Sequence, residues 1–440
     1  MPSLDARSIA SILFLQRQAA SLLLYQSVLQ EEPGIAFINL LDALRRRDAD
    51  GIVYLSAYGR WFRAVAATNL SWQDYLLKQI LRNDNPFTQQ LQKQDLASLS
   101  PALVAAVQQD LQALQSLYEC SGAELSCWVQ EASELPLAPV AWYRDDDGTS
   151  FLSKLEKKTI AFLQESENWA DAIEDLATYY RECGVGIFAE YRAFRWQSGQ
   201  LIGIGNPDPI KLNELVGYQT QKEALVKNTE FLLTGFSALN VLLYGSRGSG
   251  KSSLVKGLLN EYWDSNLRLI EVSKADLKDL AIIVNRLRDL RQKFIIFVDD
   301  LSFEEDDDAF KSLKVVLEGN ITARPQNVVV YATSNRRHLV REFFADRPRP
   351  KDAEEIHNWD TVQEKLSFSD RFGLTLTFEP ANQKTYLEII NHLTAQAGIA
   401  IDPEQLEKRA LQWATRHNGR SGRTARQFVD FLRAELAISE

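Results

Sequence analysis

The apolar residues of this chain change their rhythm after Pro209. Before it they recur at three- and four-residue intervals, as in Leu103, Val107, Leu111, Leu114 and Leu117, and nearly so in Leu152, Leu155, Ile160 and Leu163. That spacing puts them on one face of a helix, so the first part of the chain reads as mainly helical. The first apolar patch, Ile12 to Leu15, follows Asp5 and Arg7 and is cut by Gln16-Arg17. An amphipathic helix is expected there rather than a secretory leader, and with it a cytoplasmic protein. Asp145-Asp146-Asp147-Gly148 reads as a turn or linker. From Gly186 to Ile204 the apolar residues alternate loosely around Ser198-Gly199, the pattern of a short hairpin.

After Pro209 come five apolar, β-rich runs: Asn240 to Tyr244, Leu267 to Val272, Phe294 to Val298, Val328 to Ala332, and Leu374 to Phe378. Helical stretches separate them. Buried strands alternating with helices predict an α/β fold with a five-stranded parallel sheet covered on both faces. Beyond Pro380 the pattern is helical again. The expected organisation is a helical N-terminal domain over 1–148, a helical and hairpin connecting region over 149–212, an α/β core over 213–380 and a small helical domain over 381–440.

Composition adds exclusions. No apolar run approaches the roughly 18 residues of a membrane-spanning helix. Three cysteines, Cys120, Cys127 and Cys183, form no close metal-type pair, and the four histidines lie far from them in sequence. Neither a zinc site nor a disulfide framework is expected, and buried free thiols are the default. The formal net charge of -10 argues against a chain held on nucleic acid by bulk charge. A local basic stripe of Arg416, Arg420, Arg423 and Arg426 remains.

The chemistry starts at Gly245-Ser246-Arg247-Gly248-Ser249-Gly250-Lys251-Ser252, which fits the phosphate-loop pattern G-x-x-x-x-G-K-[ST]. The glycines let successive backbone N–H groups face phosphate oxygens, and the helix that follows, from Ser253 onward, adds its positive end. Lys251 supplies a full charge to the terminal phosphates of ATP, and the Ser252 hydroxyl is suited to magnesium. The run Phe294 to Val298 ends in Asp299 and Asp300. A buried strand that delivers a carboxylate beside a phosphate loop is what magnesium needs, so Asp299 is the metal-linked acid. Asp300, at the strand tip, is placed to orient or deprotonate the attacking water.

The strings LVGYQTQK, NVLLYGSRGSGKSSLVK, FVDDLSFE, YATSNRRHLV, LSFSDRFG and GRSGRTARQF make residues 213–440 resemble an AAA+ P-loop ATPase. Within that superfamily they resemble one bacterial family, known as domain of unknown function 815. Residues 1–145 resemble no family. The resemblance implies a P-loop NTPase fold with a helical lid over 381–440, binding of ATP with Mg2+, and a homo-oligomer, a ring or arc with the hexamer as one option. It implies that Val216 and Gly217 cup the adenine and that Asn335 is the polar sensor for the attacking water. Arg371 would be an arginine finger. Arg423 would be the lid's sensor arginine, with Arg426 one turn later as its rival.

Two departures qualify the resemblance. Asp300 stands where most AAA+ members have Glu, which shortens the reach, so that Glu304 is a second candidate. The stretch Val272 to Leu277 holds no aromatic-glycine pair and leaves hardly any loop, so threading of a polypeptide by an aromatic paddle is unsupported. The acids Glu304 to Asp308 read as a helix cap, and Asp346 to Lys365 as a charged surface insertion. The leading function is therefore an ATP-driven switch or remodelling ATPase acting on an unknown protein client through residues 1–148. The alternatives are a nucleic-acid-associated initiator or loader, which is not favoured, and a nucleotide-dependent scaffold with little turnover. A small-molecule kinase would leave Arg371 and the helical tail unexplained.

Overall fold

The structure is a computed structural model that describes residues 4–46, 48, 50–143, 153–303, 308–318, 325–335, 371–417 and 419–439. Its contacts divide the chain into two units, Met1–Glu190 and Tyr191–Glu440.

The first unit is helical, as its apolar period predicts. Helix Ala6–Ser21 buries Ile12 and Leu15, and its N-cap Asp5 accepts from the Ser8 backbone N–H. In Pro101–Glu119 the stripe Val107, Leu111, Leu114 and Leu117 is fully buried. Helices Lys154–Glu165 and Ile173–Cys183 give Leu163, Ile173, Leu176 and Tyr180 to the same core. Cys120 and Cys183 are buried there, but Cys127 is exposed. The division between units therefore falls inside the stretch 149–212 that the sequence groups as one connecting region.

The second unit is built on a sheet with seven strands among the described residues, β1 (Ala193–Gln197), β2 (Gln200–Ile204), β3 (Val241–Gly245), β4 (Leu267–Glu271), β5 (Lys293–Val298), β6 (Val328–Ser334) and β7 (Leu374–Phe378), in the order β2-β1-β4-β5-β6-β3-β7. Five neighbouring strands form its central parallel block: β3, β4, β5, β6 and β7. These are the five expected. The count of five is corrected by the hairpin of β1 (Ala193–Gln197) and β2 (Gln200–Ile204), which turns at Ser198-Gly199. Both turn residues have positive φ, 51° and 78°, the geometry that follows strand twist in a two-residue hairpin. β1 joins the edge of the sheet by pairing parallel with β4, Ala193 opposite Leu269. A long-range pairing of this kind leaves no mark on the local pattern.

Helices Gln219–Leu233 and Lys251–Glu261 cover one face, packing Leu225, Leu232, Val255 and Leu258 against Val241, Leu243, Ile295 and Tyr331. The alternate strand residues Leu242, Ile270, Ile296 and Val298 are equally buried, as a sheet covered on both faces requires. Between β4 and helix Leu280–Leu287 the chain makes a short 3-10 turn, Lys274–Asp279, that buries Leu277. No extended loop stands there.

Three helices, Gln383–Gln396, Pro403–Arg416 and Gly422–Ser439, close around their own core of Tyr386, Ile390, Leu406, Ala410, Phe428 and Leu432. This helical lid, the central parallel order and the phosphate loop after β3 make the unit a P-loop NTPase of AAA+ type. Among the described residues no helix is long and apolar enough to cross a membrane.

Candidate nucleotide site

Because β6 lies between β3 and β5, three chemically distinct strand ends meet at the C-terminal edge of the sheet. β3 runs into the phosphate loop, β5 into Asp299 and Asp300, and β6 into Asn335. A crevice beyond the carboxyl ends of parallel strands is where such sheets bind ligands. Here a cavity of about 650 Å³ opens between sheet and lid.

The phosphate loop is shaped by its glycines at two places. Gly245 ends β3 at φ 138°, and a Cβ there would collide with the backbone of Phe378 on β7. The loop is tied to that strand by the Ser246 N–H on the Phe378 carbonyl (2.9 Å). Gly248, at φ 75°, faces the lid so closely that a Cβ would stand 2.9 Å from the Ser421 Oγ. Its carbonyl accepts from the Arg423 backbone N–H (3.3 Å). Gly250 caps helix Lys251–Glu261, whose free N–H groups then face the cavity.

Lys251 is 7% exposed. Its Nζ donates to the carbonyls of Ser246 (2.7 Å) and Gly245 (3.0 Å) and reaches the Asn335 Oδ1 at 3.4 Å. Burial pulls this ammonium below the ordinary lysine range, against the upward pull of Asp299 and Asp300. The two acids are held differently. The Asp299 Oδ1 accepts from the Ser252 Oγ (2.6 Å), the Thr333 Oγ1 (2.5 Å) and the Asp300 N–H (3.2 Å). The Asp300 Oδ1 accepts from the Asn335 Nδ2 (2.6 Å). Asp300 also sits at φ 52°, a left-handed conformation that costs about 1 kcal/mol outside glycine.

The lining of the cavity includes Val216, Gly217, Arg247 to Ser253, Asp299, Asp300, Asn335 and Arg423. Gly245 and Ser246 reach it through the carbonyls that hold Lys251. Val216 packs against the lid core, and Tyr218 lays its ring on Phe378 (5.0 Å) with its hydroxyl donating to the Glu379 carbonyl. Arg423 and Arg426 both line the cavity, but Arg423 lies at the phosphate loop whereas Arg426 pairs with Glu214 at 3.9 Å. Arg371 does not line it. The residue precedes β7, whose Leu374 pairs with Val241 and whose Phe378 pairs with Gly245. It therefore stands at the opposite end of the sheet, roughly 13 Å or more along the strand from the loop. Glu304 to Asp307 and Asp346 to Lys365 lie outside the described residues.

Thr333 and Glu214 were not legible as site residues. Thr333 carried one signal, its place two positions before Asn335 on a strand, which puts both on one face. Glu214 carried only its nearness to Leu215-Val216.

Among curated proteins, a 75-residue stretch is 33% identical to the replication factor C large subunit of Methanococcus vannielii, covering 17% of this chain and 15% of that protein's length. Among solved structures, a Thermotoga maritima RuvB mutant aligns over 52% of this chain and 67% of its own, with 18% identity and a TM-score of 0.37. AMPPCP-bound DnaA from Aquifex aeolicus aligns over 50% and 63%, with 17% identity and a TM-score of 0.34. The family described as "Protein of unknown function (DUF815)" matches residues 189–436. That span holds the sheet, the phosphate loop, both acids and most of the lid, and by it the chain belongs to the DUF815 family.

Proposed function

We propose that this protein binds ATP with magnesium and hydrolyses it, as an oligomer that turns each cycle into movement of a protein client. The observation that carries the reading is one connected set of hydrogen bonds. Ser252 and Thr333 meet on Asp299, the Asp300 N–H reaches Thr333 and Asp299, and Asn335 links the Asp300 carboxylate to Lys251. A glycine-rich turn with a structural role has no use for two exposed acids beside a buried ammonium.

The residues present fit magnesium. Ser252 Oγ and Asp299 Oδ1 are hard oxygens 2.6 Å apart beside the phosphate loop, and this ion commonly takes one or two protein oxygens with the rest from phosphates and water. Once bound, it would neutralise charge on the β- and γ-phosphate oxygens. Val216 and Gly217 would bound the base, and the N–H groups of the loop would hold the phosphates. Lys251 would leave its two carbonyls for the phosphate oxygens. Asp300 would accept a proton from the attacking water while Asn335 fixes its carboxylate, and the bond from γ-phosphorus to the bridging oxygen would break to release ADP. Arg423 is the better-placed lid sensor of the two arginines.

Because Arg371 stands away from the cavity of its own chain, it would serve a neighbouring subunit's nucleotide. The helical N-terminal region, residues 1–148, would engage the client. The lid arginines favour this reading over a nucleic-acid loader, since Arg423 and Arg426 face the nucleotide cavity instead of forming one outward stripe. A scaffold with little turnover is the second reading, favoured by the short Asp300 side chain and its bond to Asn335.

The test is a pair of variants. Lys251→Ala should lose ATP binding, and Asp300→Asn should bind ATP and lose turnover. Wild-type turnover that is negligible at saturating ATP would favour the scaffold, and an Asp300→Asn variant as active as wild type would end the catalytic role of that residue.

A further inference from the structure

Thr333 is 2% exposed near the end of β6. The ladder between β5 and β6 closes at Val298 opposite Ala332, where β5 ends. Beyond it the two chains stay together through other bonds. The Leu301 N–H donates to the Thr333 carbonyl (2.7 Å), and the Ser334 Oγ donates to the Leu301 carbonyl (2.8 Å). Between the end of the ladder at Val298 and these anchors at Leu301 lie Asp299 and Asp300, which line the cavity, with Asp300 at positive φ.

The Thr333 hydroxyl fills that gap with both of its functions. Its proton goes to the Asp299 Oδ1 at 2.5 Å, and its lone pair accepts the Asp300 N–H at 2.9 Å. One hydroxyl thus fixes the carboxylate of one acid and the backbone of the next. Serine offers the same proton and lone pair; valine, with the same shape, offers neither.

We propose that Thr333 is a positioning residue that sets Asp299 for magnesium and Asp300 for water. The proposal rests on the ATPase reading above. Thr333 lines the cavity, but both functions of its hydroxyl are taken up by the two acids, so in this role it would not itself ligate nucleotide or metal. It acts through the two acids, as outer partners of metal ligands do, where removing one typically lowers metal affinity or activity by about 10- to 100-fold.

The experiment measures binding of a fluorescent, non-hydrolysable ATP analogue to the full chain, first in EDTA and then along a magnesium titration. In EDTA, Thr333→Val should bind the analogue as wild type does, because the phosphate loop and Lys251 are untouched. In the titration its half-saturating magnesium should rise by ~10-fold or more. Thr333→Ser should restore most of the magnesium affinity, which a purely steric role for the threonine would not predict. Turnover of Thr333→Val should fall through kcat, with little change in KM at saturating magnesium. If Thr333→Val does not fold, Thr333→Ala removes the same hydroxyl and the same comparison with Ser applies. An unchanged magnesium requirement, an equal loss in EDTA, or a Ser variant as impaired as Val would each overturn the proposal. Wild-type binding that ignores magnesium altogether would instead overturn the ATPase reading beneath it.

Discussion

The helical unit, Met1–Glu190, and the sheet unit, Tyr191–Glu440, each hold a carboxylate surrounded by three donors. In the first, Asp110 is fully buried and accepts from the backbone N–H groups of Leu23 (2.8 Å), Leu24 (2.7 Å) and Tyr25 (2.9 Å). In the second, Asp299 accepts from two hydroxyls and one N–H and is exposed at the cavity. Backbone donors have no other use once a turn is set, so Asp110 fixes where the first helix ends. The Ser252 hydroxyl can turn away and offer a lone pair to a cation. Donor type and exposure, not the number of bonds, separate the acid that holds a fold from the acid prepared to exchange partners.

The largest effect should come from a residue that belongs to neither set. Arg371→Ala should bind ATP nearly as wild type and hydrolyse it ~10³- to 10⁵-fold more slowly, the range lost when an arginine finger is removed. Mixed with Lys251→Ala, it should recover some activity, since each variant supplies what the other lacks. Steady-state turnover of the mixture, taken once subunit exchange has been verified, is the measurement. Turnover per chain that is independent of concentration in a wild-type monomer would sink the in-trans role.

Next in size is the contrast in stability. Asp110→Ala strands three N–H groups and should cost about 3 kcal/mol or more, seen as an earlier unfolding transition. Lys251→Met should not lower the thermal midpoint, although it should abolish nucleotide binding. The sign follows from the depressed lysine. Its folded value lies below the unfolded 10.5, so the unfolded chain holds more proton across that window and stability rises with pH through it. At neutral pH the buried charge is a cost, and methionine removes it. Phosphate would raise the same group, so nucleotide binding takes up a proton there. Affinity should fall as pH climbs through the free protein's Lys251 value, before the ordinary lysine range is reached.

How much of this could be read from the sequence depended on range. The five parallel strands, the phosphate loop and the Asp299-Asp300 pair are contiguous patterns, and a single apolar run or glycine string displays each of them. The hairpin's place in the sheet was hidden because Ala193 finds Leu269 across the intervening helices. Thr333 was hidden for a different reason. Threonine is a common strand residue, and only the neighbouring β5 end turns its hydroxyl into a link between two acids. The lid arginines lay between these cases: helical spacing showed that both Arg423 and Arg426 face one way, but not which of them meets the phosphate loop.

That register question carries the smallest prediction. Arg426 pairs with Glu214 at 3.9 Å, and the two side chains are 51% and 26% exposed. A solvent-screened pair at that length contributes ~0–1 kcal/mol, so Arg426→Ala should change ATP affinity by about five-fold at most. Glu214→Gln should do no more, and both effects should fade in added salt. Arg423 has the Gly248 carbonyl on its own backbone N–H, which anchors its helix start to the loop and brings its side chain to the phosphate end of the cavity. Arg423→Ala should therefore lower affinity or turnover well beyond the Arg426 variant, and the loss should persist in salt. Equilibrium binding of ATP and ADP to each variant decides the matter. An arginine that senses the terminal phosphate should lose discrimination between the two nucleotides, and one that only braces the cleft should lose both equally. Should Arg426→Ala lose that discrimination while Arg423→Ala keeps it, the sensor lies one turn further along the lid helix.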